Sequence, residues 1–321
     1  MNAPSPSPAS TITPRDAVIL VLVMVAWGGA FTAGRVALRD HVLSPYAVAA
    51  MRYMLASACL LAVLASREGL RRSLSRLDRR GWLFLALLSL FGVFGYNVLL
   101  LAGLRHTTAI NGSLIAGLAP LATASLAAVI LRERLRRMQV VGMLISLTGI
   151  GVLVTRGSLS VLLSLEFSRG DLLILLAMLS FGLQSVCARK VSAYLTAPAM
   201  VTHSCVLGTL MLLPFVVGEL GSTDLGALSG STVGAIVYLG IAATVLAYLG
   251  WFYVIGRLGA ARPAPFINLV PIFGAAIGMI WGEHLLAAHA VAALLVVGGV
   301  HVASRRAQVR AVREAPAEVS A

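Results

Sequence analysis

DAVILVLVMVAWGGAFTAGR, Asp16 to Arg35, carries no charge between its two ends. About 20 such residues in a helix span the roughly 30 Å hydrocarbon core of a bilayer. A second stretch, DLLILLAMLSFGLQSVCAR from Asp171 to Arg189, has the same layout. An aspartate opens an apolar run, an aromatic–glycine pair (Trp27-Gly28, Phe181-Gly182) stands past its middle, and an arginine closes it. The matching residues lie 154 or 155 positions apart. A near-constant long period signals internal duplication, and further pairs fall 150 to 153 positions apart: Pro45 with Pro198, Pro120 with Pro271, Arg132-Glu133 with Gly282-Glu283, and Gly149 with Gly299.

Composition agrees with a lipid solvent. The 321 residues are 59% hydrophobic and 12% charged, with mean hydropathy +0.93, whereas soluble domains carry about 25% charged residues. Hydropathy places ten membrane-length stretches near 16–36, 45–65, 81–103, 107–131, 137–155, 170–190, 197–217, 232–255, 261–281 and 286–304. The net charge of +13 sits in short clusters flanking these stretches, not interleaved with aromatics on a soluble face, which excludes nucleic-acid binding. With the N-terminus inside, 19 basic residues fall on the inner side and five on the outer, the positive-inside pattern. Five helices per unit is an odd number, so the second unit enters the membrane from the opposite side. Inverted repeats of this kind are typical of secondary transporters.

The expectation is therefore an all-α membrane protein of ten transmembrane helices, two inverted five-helix repeats with N- and C-termini cytoplasmic. Residues 1–15 are a disordered lead-in, 16–155 the first repeat, 156–169 an interfacial linker, 170–304 the second repeat, and 305–321 a basic, disordered tail. Cys59, Cys187 and Cys205 have neither CxxC spacing nor a histidine partner at ligand spacing, so neither a metal nor a disulfide framework is expected. No Walker A pattern occurs, which excludes nucleotide hydrolysis by that route.

Several of these residues carry a resemblance. Trp27-Gly28, Arg52-Tyr53, the run Gly103 to Ala109, Pro120, and Arg132-Glu133-Arg134-Leu135 mark the first unit. Gly259-Ala260-Ala261-Arg262, Asn268-Leu269-Val270-Pro271 and Gly282-Glu283 mark the second. In this order they resemble the tandem EamA domains of the drug/metabolite transporter superfamily over about residues 16–304. Phe181 stands where the family often has Trp, and Leu131-Arg132-Glu133 replaces its usual Gly-Glu. The resemblance implies export of a small metabolite, such as an amino acid or related carboxylate, without a cofactor. The partners are that substrate and the lipid bilayer, and a homodimer is compatible with it. Near-total use of arginine over lysine points to a GC-rich bacterial genome, hence a bacterial inner membrane. A passive channel or facilitator and an intramembrane enzyme on a lipid-linked substrate are the alternatives.

Polar groups within spans are expensive and mark candidate sites. Arg52 has no mid-span acid to pair with. It either recognises a substrate carboxylate or phosphate through its donor fork, or bonds carbonyls of a broken helix. Asn97 and Asn111 fall in the outer half, and Gln184, His203 and Asn268 in the inner half, as two polar layers of one cavity or as interhelical hydrogen bonds. His203 is either a proton-coupling group or a donor to a nearby carbonyl. Trp27, Tyr53, Tyr96, Tyr248 and Trp251 are candidates for an aromatic wall or for packing anchors. Pro120 and Pro271 should interrupt their helices midway and allow bending or gating. Glu133 and Glu283, on opposite faces, are expected to anchor helix ends.

Overall fold

Thr13 caps the first helix reciprocally: its hydroxyl accepts from the Asp16 N–H, and the Asp16 carboxylate accepts from the N–H of Thr13. The box satisfies donors that a first turn leaves free, and Pro14 has no N–H to lose. Helix α1 follows as Pro14–Ala37. In a computed structural model, which describes residues 12–67, 73–130, 137–155, 168–258 and 263–313, every regular element among the described residues is helical.

Next come α2 (Pro45–Arg67), α3 (Arg79–Ser89), a π-helical segment (Leu90–Tyr96) and α4 (Asn97–Leu104). They are followed by α5 (Ala109–Ala116), α6 (Ala119–Ile130) and α7 (Arg137–Val154). The second unit holds α8 (Arg169–Val191), α9 (Ala197–Ser222), α10 (Gly230–Val237), a second π-helical segment (Tyr238–Leu246) and α11 (Ala247–Leu258). A 3₁₀ turn (Ala264–Asn268) leads into α12 (Leu269–Ile280), and α13 is Ala287–Arg313. Seven continuous helical stretches are long and apolar enough to cross a membrane, and the apolar helices 137–153, 266–280 and 287–302 are shorter. Leu22, Phe215, Val217 and Leu294 are each more than half exposed on the outside of the bundle. That surface suits lipid, and the chain is a multi-pass membrane protein.

Three local expectations need correction. The third and eighth stretches are not continuous α-helix, because each carries a π segment in its middle. Pro120 and Pro271 do not interrupt α-helices midway: each lies in the first turn of an α segment, after a break at Gly117-Leu118 or after the 3₁₀ turn. A proline ring clashes with the preceding turn but costs nothing where an N–H would be unpaired anyway, so the break falls just before it. The tail is helical as far as Arg313, as its Ala- and Arg-rich composition favours. The linker 156–167, Arg132-Glu133-Arg134-Leu135, Gly259-Ala260-Ala261-Arg262 and the lead-in 1–11 lie outside the described residues.

Packing comes in matched pairs. Helix α1 packs on α12 and on the α10–π–α11 stretch, while α8 packs on α6 and on the α3–π–α4 stretch. Helix α2 lies on α9 and beside the second π segment, and α9 lies beside the first. Helices α7 and α13 run together. Exchanging the two halves of the chain maps each contact onto its counterpart.

The α1–α12 crossing is close enough to exclude a side chain. A Cβ on Gly28 would lie 2.8 Å from the backbone nitrogen of Gly274 and 2.9 Å from the Phe273 Cβ. Glycine therefore sets the crossing distance, as small residues do between membrane helices. Gly28→Val should lower stability by about 1–3 kcal/mol, read as the unfolding midpoint in detergent. Gly151→Ala, whose Cβ meets nothing within 4 Å, should leave the midpoint unchanged. Equal shifts for the two would remove the crossing argument.

Candidate functional site

Each π segment widens the helix and frees carbonyls that an α-helix would use internally. Side chains take them up. The Asn97 Nδ2 donates to the Gly92 carbonyl at 2.8 Å, and the Ser180 hydroxyl donates to the Phe91 carbonyl at 2.7 Å. In the second segment, the Thr244 hydroxyl donates to the Leu239 carbonyl at 2.8 Å and the Trp27 indole to the Ala243 carbonyl at 3.1 Å. Asn97 and Thr244 each hold the carbonyl five residues before them. Both then have an oxygen lone pair to offer.

Arg52 takes both. Its Nε donates to Thr244 Oγ1 at 3.0 Å and its Nη1 to Asn97 Oδ1 at 2.9 Å. The side chain is 8% exposed, and its guanidinium lies 5.0 Å from the Tyr53 ring centroid, within cation–π range. Nη2 makes no hydrogen bond among the described residues. The guanidinium thus joins α2 to the centres of both π-bearing stretches with neutral oxygens alone.

A cavity of about 400 Å³ opens at this arginine. Trp27, Tyr53, Tyr96, Asn97, Gln184, Tyr248, Trp251, Asn268, Pro120 and Pro271 line it with Arg52, and no carboxylate does among the described residues. Trp27 packs on Tyr248 and Trp251 at ring separations of 5.7 and 5.6 Å, and Tyr96 on Phe181 at 5.5 Å. The amides of Gln184 and Asn268 and the hydroxyls of Tyr53, Tyr96 and Tyr248 make no hydrogen bond among the described residues. They are free for a ligand. The cavity extends from Arg52 towards Ala188, Met200 and Val300, at the face where α8 ends and α9 begins.

Two expected residues lie elsewhere. Asn111 sits at the start of α5, where its Nδ2 donates to Asp171 at 3.3 Å and its Oδ1 meets His289 Nε2 at 2.9 Å. His203 pairs its Nε2 with the Ser73 hydroxyl at 2.8 Å. Neither lines the central cavity. Thr244 was not anticipated from the sequence. No sequence signal marked it, since it lies 147 positions after Asn97, outside the spacing of 150 to 155 that the matched pairs keep.

At the opposite face the bundle is closed. Glu283 accepts from the Arg35 guanidinium and from the backbone N–H groups of Ala109 and Ile110 at 2.8 and 2.9 Å. One carboxylate therefore ties α1 to the N-terminus of α5, where the helix dipole favours an anion. Its placement depends on Gly282 at φ +86°. The Glu283 N–H reaches back to Gly278 and the Gly282 N–H to Met279, ending α12 in a Schellman turn.

An all-helical membrane bundle with duplicated halves around a central cavity is the architecture of a carrier. The chain belongs to the EamA-like transporter family, which it matches over residues 16–155 and 168–305. It is 32% identical over 261 residues to an uncharacterized transporter, YyaM, of Bacillus subtilis, covering 81% of this chain and 85% of the other. A Streptantibioticus cattleyicolor protein named "probable terminal-alkyne amino-acid exporter" is 28% identical over 89% of this chain and 92% of the other. An Escherichia coli "probable amino-acid metabolite efflux pump" is 26% identical over 90% and 94%. A solved crystal structure superposes with TM-score 0.62 and 21% identity, covering 92% of this chain and 99% of that one. That likeness concerns the fold. These relationships point to transport and away from enzymatic chemistry.

Removing either oxygen partner of Arg52 leaves a buried charged donor short of a bond, at a cost of about 1.5–3 kcal/mol. Asn97→Leu and Thr244→Val should each lower unfolding stability in micelles by that order. Ser57→Ala, which loses only a 3.4 Å contact with Thr209, should cost less than about 1 kcal/mol. Similar losses for all three would show that Arg52 does not depend on these oxygens.

Proposed function

We propose that the protein is a secondary exporter of a small carboxylate-bearing metabolite, such as an amino acid, working by alternating access in a bacterial inner membrane. The observation that carries this reading is Arg52: a buried cation whose Nη2 has no partner, facing an aromatic cavity with no carboxylate, among the described residues. An unpaired charge in a low-dielectric site is stabilised by an incoming anion. Free amides and phenols around it are suited to the polar remainder of the cargo, and Trp27, Tyr248 and Trp251 to its apolar part. The two relatives named for amino-acid export are consistent with this cargo class.

Ten spans in two inverted repeats, with both termini cytoplasmic, is the matching topology. It is supported by the symmetric helix pairing, by the seven long and three shorter apolar helices, and by the inner excess of basic residues. The cavity then extends towards the cytoplasm, and the Arg35–Glu283 latch closes the periplasmic side. Alternating access exchanges these two closures.

Counterflow in proteoliposomes, run over a panel of labelled amino acids and neutral metabolites, tests the carrier and its cargo together. Saturable exchange confined to carboxylate-bearing compounds is expected, with Arg52→Ala reducing it at least tenfold while the protein remains folded. Flux without exchange would favour a passive channel. Exchange indifferent to the carboxylate would detach Arg52 from recognition. The latch has its own readout in Cys205, which is 3% exposed and lines the cavity. In a Cys59→Ser, Cys187→Ser background, Glu283→Gln should speed labelling of Cys205 by an impermeant thiol reagent added from the periplasmic side. An unchanged rate would mean that the latch does not hold that side shut.

A further inference from the structure

A second cavity of about 440 Å³ lies beyond the latch, where α1 ends and α4 meets α5. Thr32, Arg35, Arg39, His41, Arg105 and Glu283 are among its lining residues. Three guanidiniums face one carboxylate, and that carboxylate already accepts from Arg35 and two backbone N–H groups. The neighbouring Asp40 does not neutralise the excess: it accepts from the hydroxyls of Ser229 and Thr232 at 2.9 and 3.2 Å.

Several donors of this cavity are unmet among the described residues. Arg39 is exposed and makes no side-chain hydrogen bond or ion pair among the described residues. Arg105 spends Nη2 on the Leu43 carbonyl at 3.1 Å, while its buried Nε has no partner among the described residues. Thr32 is 6% exposed, and its buried Oγ1 likewise has no partner among them. Buried polar atoms of native proteins are nearly always paired, and exceptions call for an explanation such as an unseen ligand.

We propose that this vestibule is a second carboxylate-binding station, which receives the cargo's carboxylate on the periplasmic side after it has left Arg52. The assignment rests on the central cavity being the cargo site. A planar carboxylate accepts two parallel bonds from a guanidinium, so Arg39 and Arg105 are its charged ligands and Thr32 supplies a neutral donor. The volume admits a molecule of amino-acid size. Two basic stations in series let the anion pass from one cation to the next without crossing an uncompensated apolar stretch.

Propionate is the probe and propionamide its neutral control, titrated calorimetrically at fixed ionic strength against the purified full-length protein in phosphatidylcholine nanodiscs. Arg52→Ala is titrated beside it, so that binding at the central cation is told apart from binding in the vestibule. Saturable binding of propionate and none of propionamide is expected. Arg39→Gln and Thr32→Val should each weaken propionate at least fivefold. Thr32→Val is the sharper variant, because it keeps the shape and removes a hydroxyl with no partner, so the fold has nothing to lose. Failure of propionate to bind, or affinity unchanged in both variants, would overturn the station. Propionate binding that disappears in discs containing phosphatidylglycerol would assign the site to a lipid headgroup and overturn the cargo assignment. Vestibule binding that persists in a protein without counterflow would sink the transport reading alone; counterflow with no vestibule binding would sink the station alone.

Discussion

A guanidinium held within a membrane bundle must have its donors met by something, and that requirement organises the middle of this protein. Arg52 has no acid to neutralise it among the described residues. It is held by Asn97 and Thr244, and each of these is fixed by a carbonyl that only a widened helical turn releases. Without the π segments, those carbonyls would be spent within the helices. Without the oxygens, the cation would carry its desolvation cost alone. The cavity, its positive character and its aromatic wall all follow from keeping this charge inside.

The two ends of the bundle are held on a different principle. Asp16 joins α1 to α11 through Arg257 at 2.8 Å while capping its own helix. Glu283 joins α1 to α5 through Arg35 while capping another helix. Each carboxylate serves a charge and a helix start together, so neither is left with unsatisfied lone pairs. Helix α1 takes part in both, at opposite ends. Its position therefore reports on both faces of the membrane, and Gly28 at its crossing with α12 keeps the connection short.

Much of this was legible in the sequence, and the reasons differ from residue to residue. The 154-residue recurrence of aspartate, aromatic–glycine and arginine exposed the duplication because duplicated spans keep their chemistry at matching depths. Arg52 and the aromatics stood out because lipid makes such residues rare or purposeful. Thr244 was invisible because a threonine in an apolar helix normally bonds its own backbone. The partners of Asn111, Asp171 and His289, come from the second repeat, and no local pattern encodes such a meeting. The π segments escaped because LFGVFGY and YLGIAATVL hold no proline or charge to signal a departure from α geometry.

Side chains step about 100° around an α-helix at each residue, and a run of wider turns changes that step. Beyond each π segment, α4 and α11 therefore point their residues along azimuths that an uninterrupted helix from α3 or α10 would not reach. The two halves of each stretch are out of phase. In α4 and α11 this brings Asn97, Leu100, Leu101, Tyr248, Trp251 and Phe252 to the cavity. The chemistry of the interior is in this sense written in a change of angular register, shared by two helices that descend from one ancestor segment.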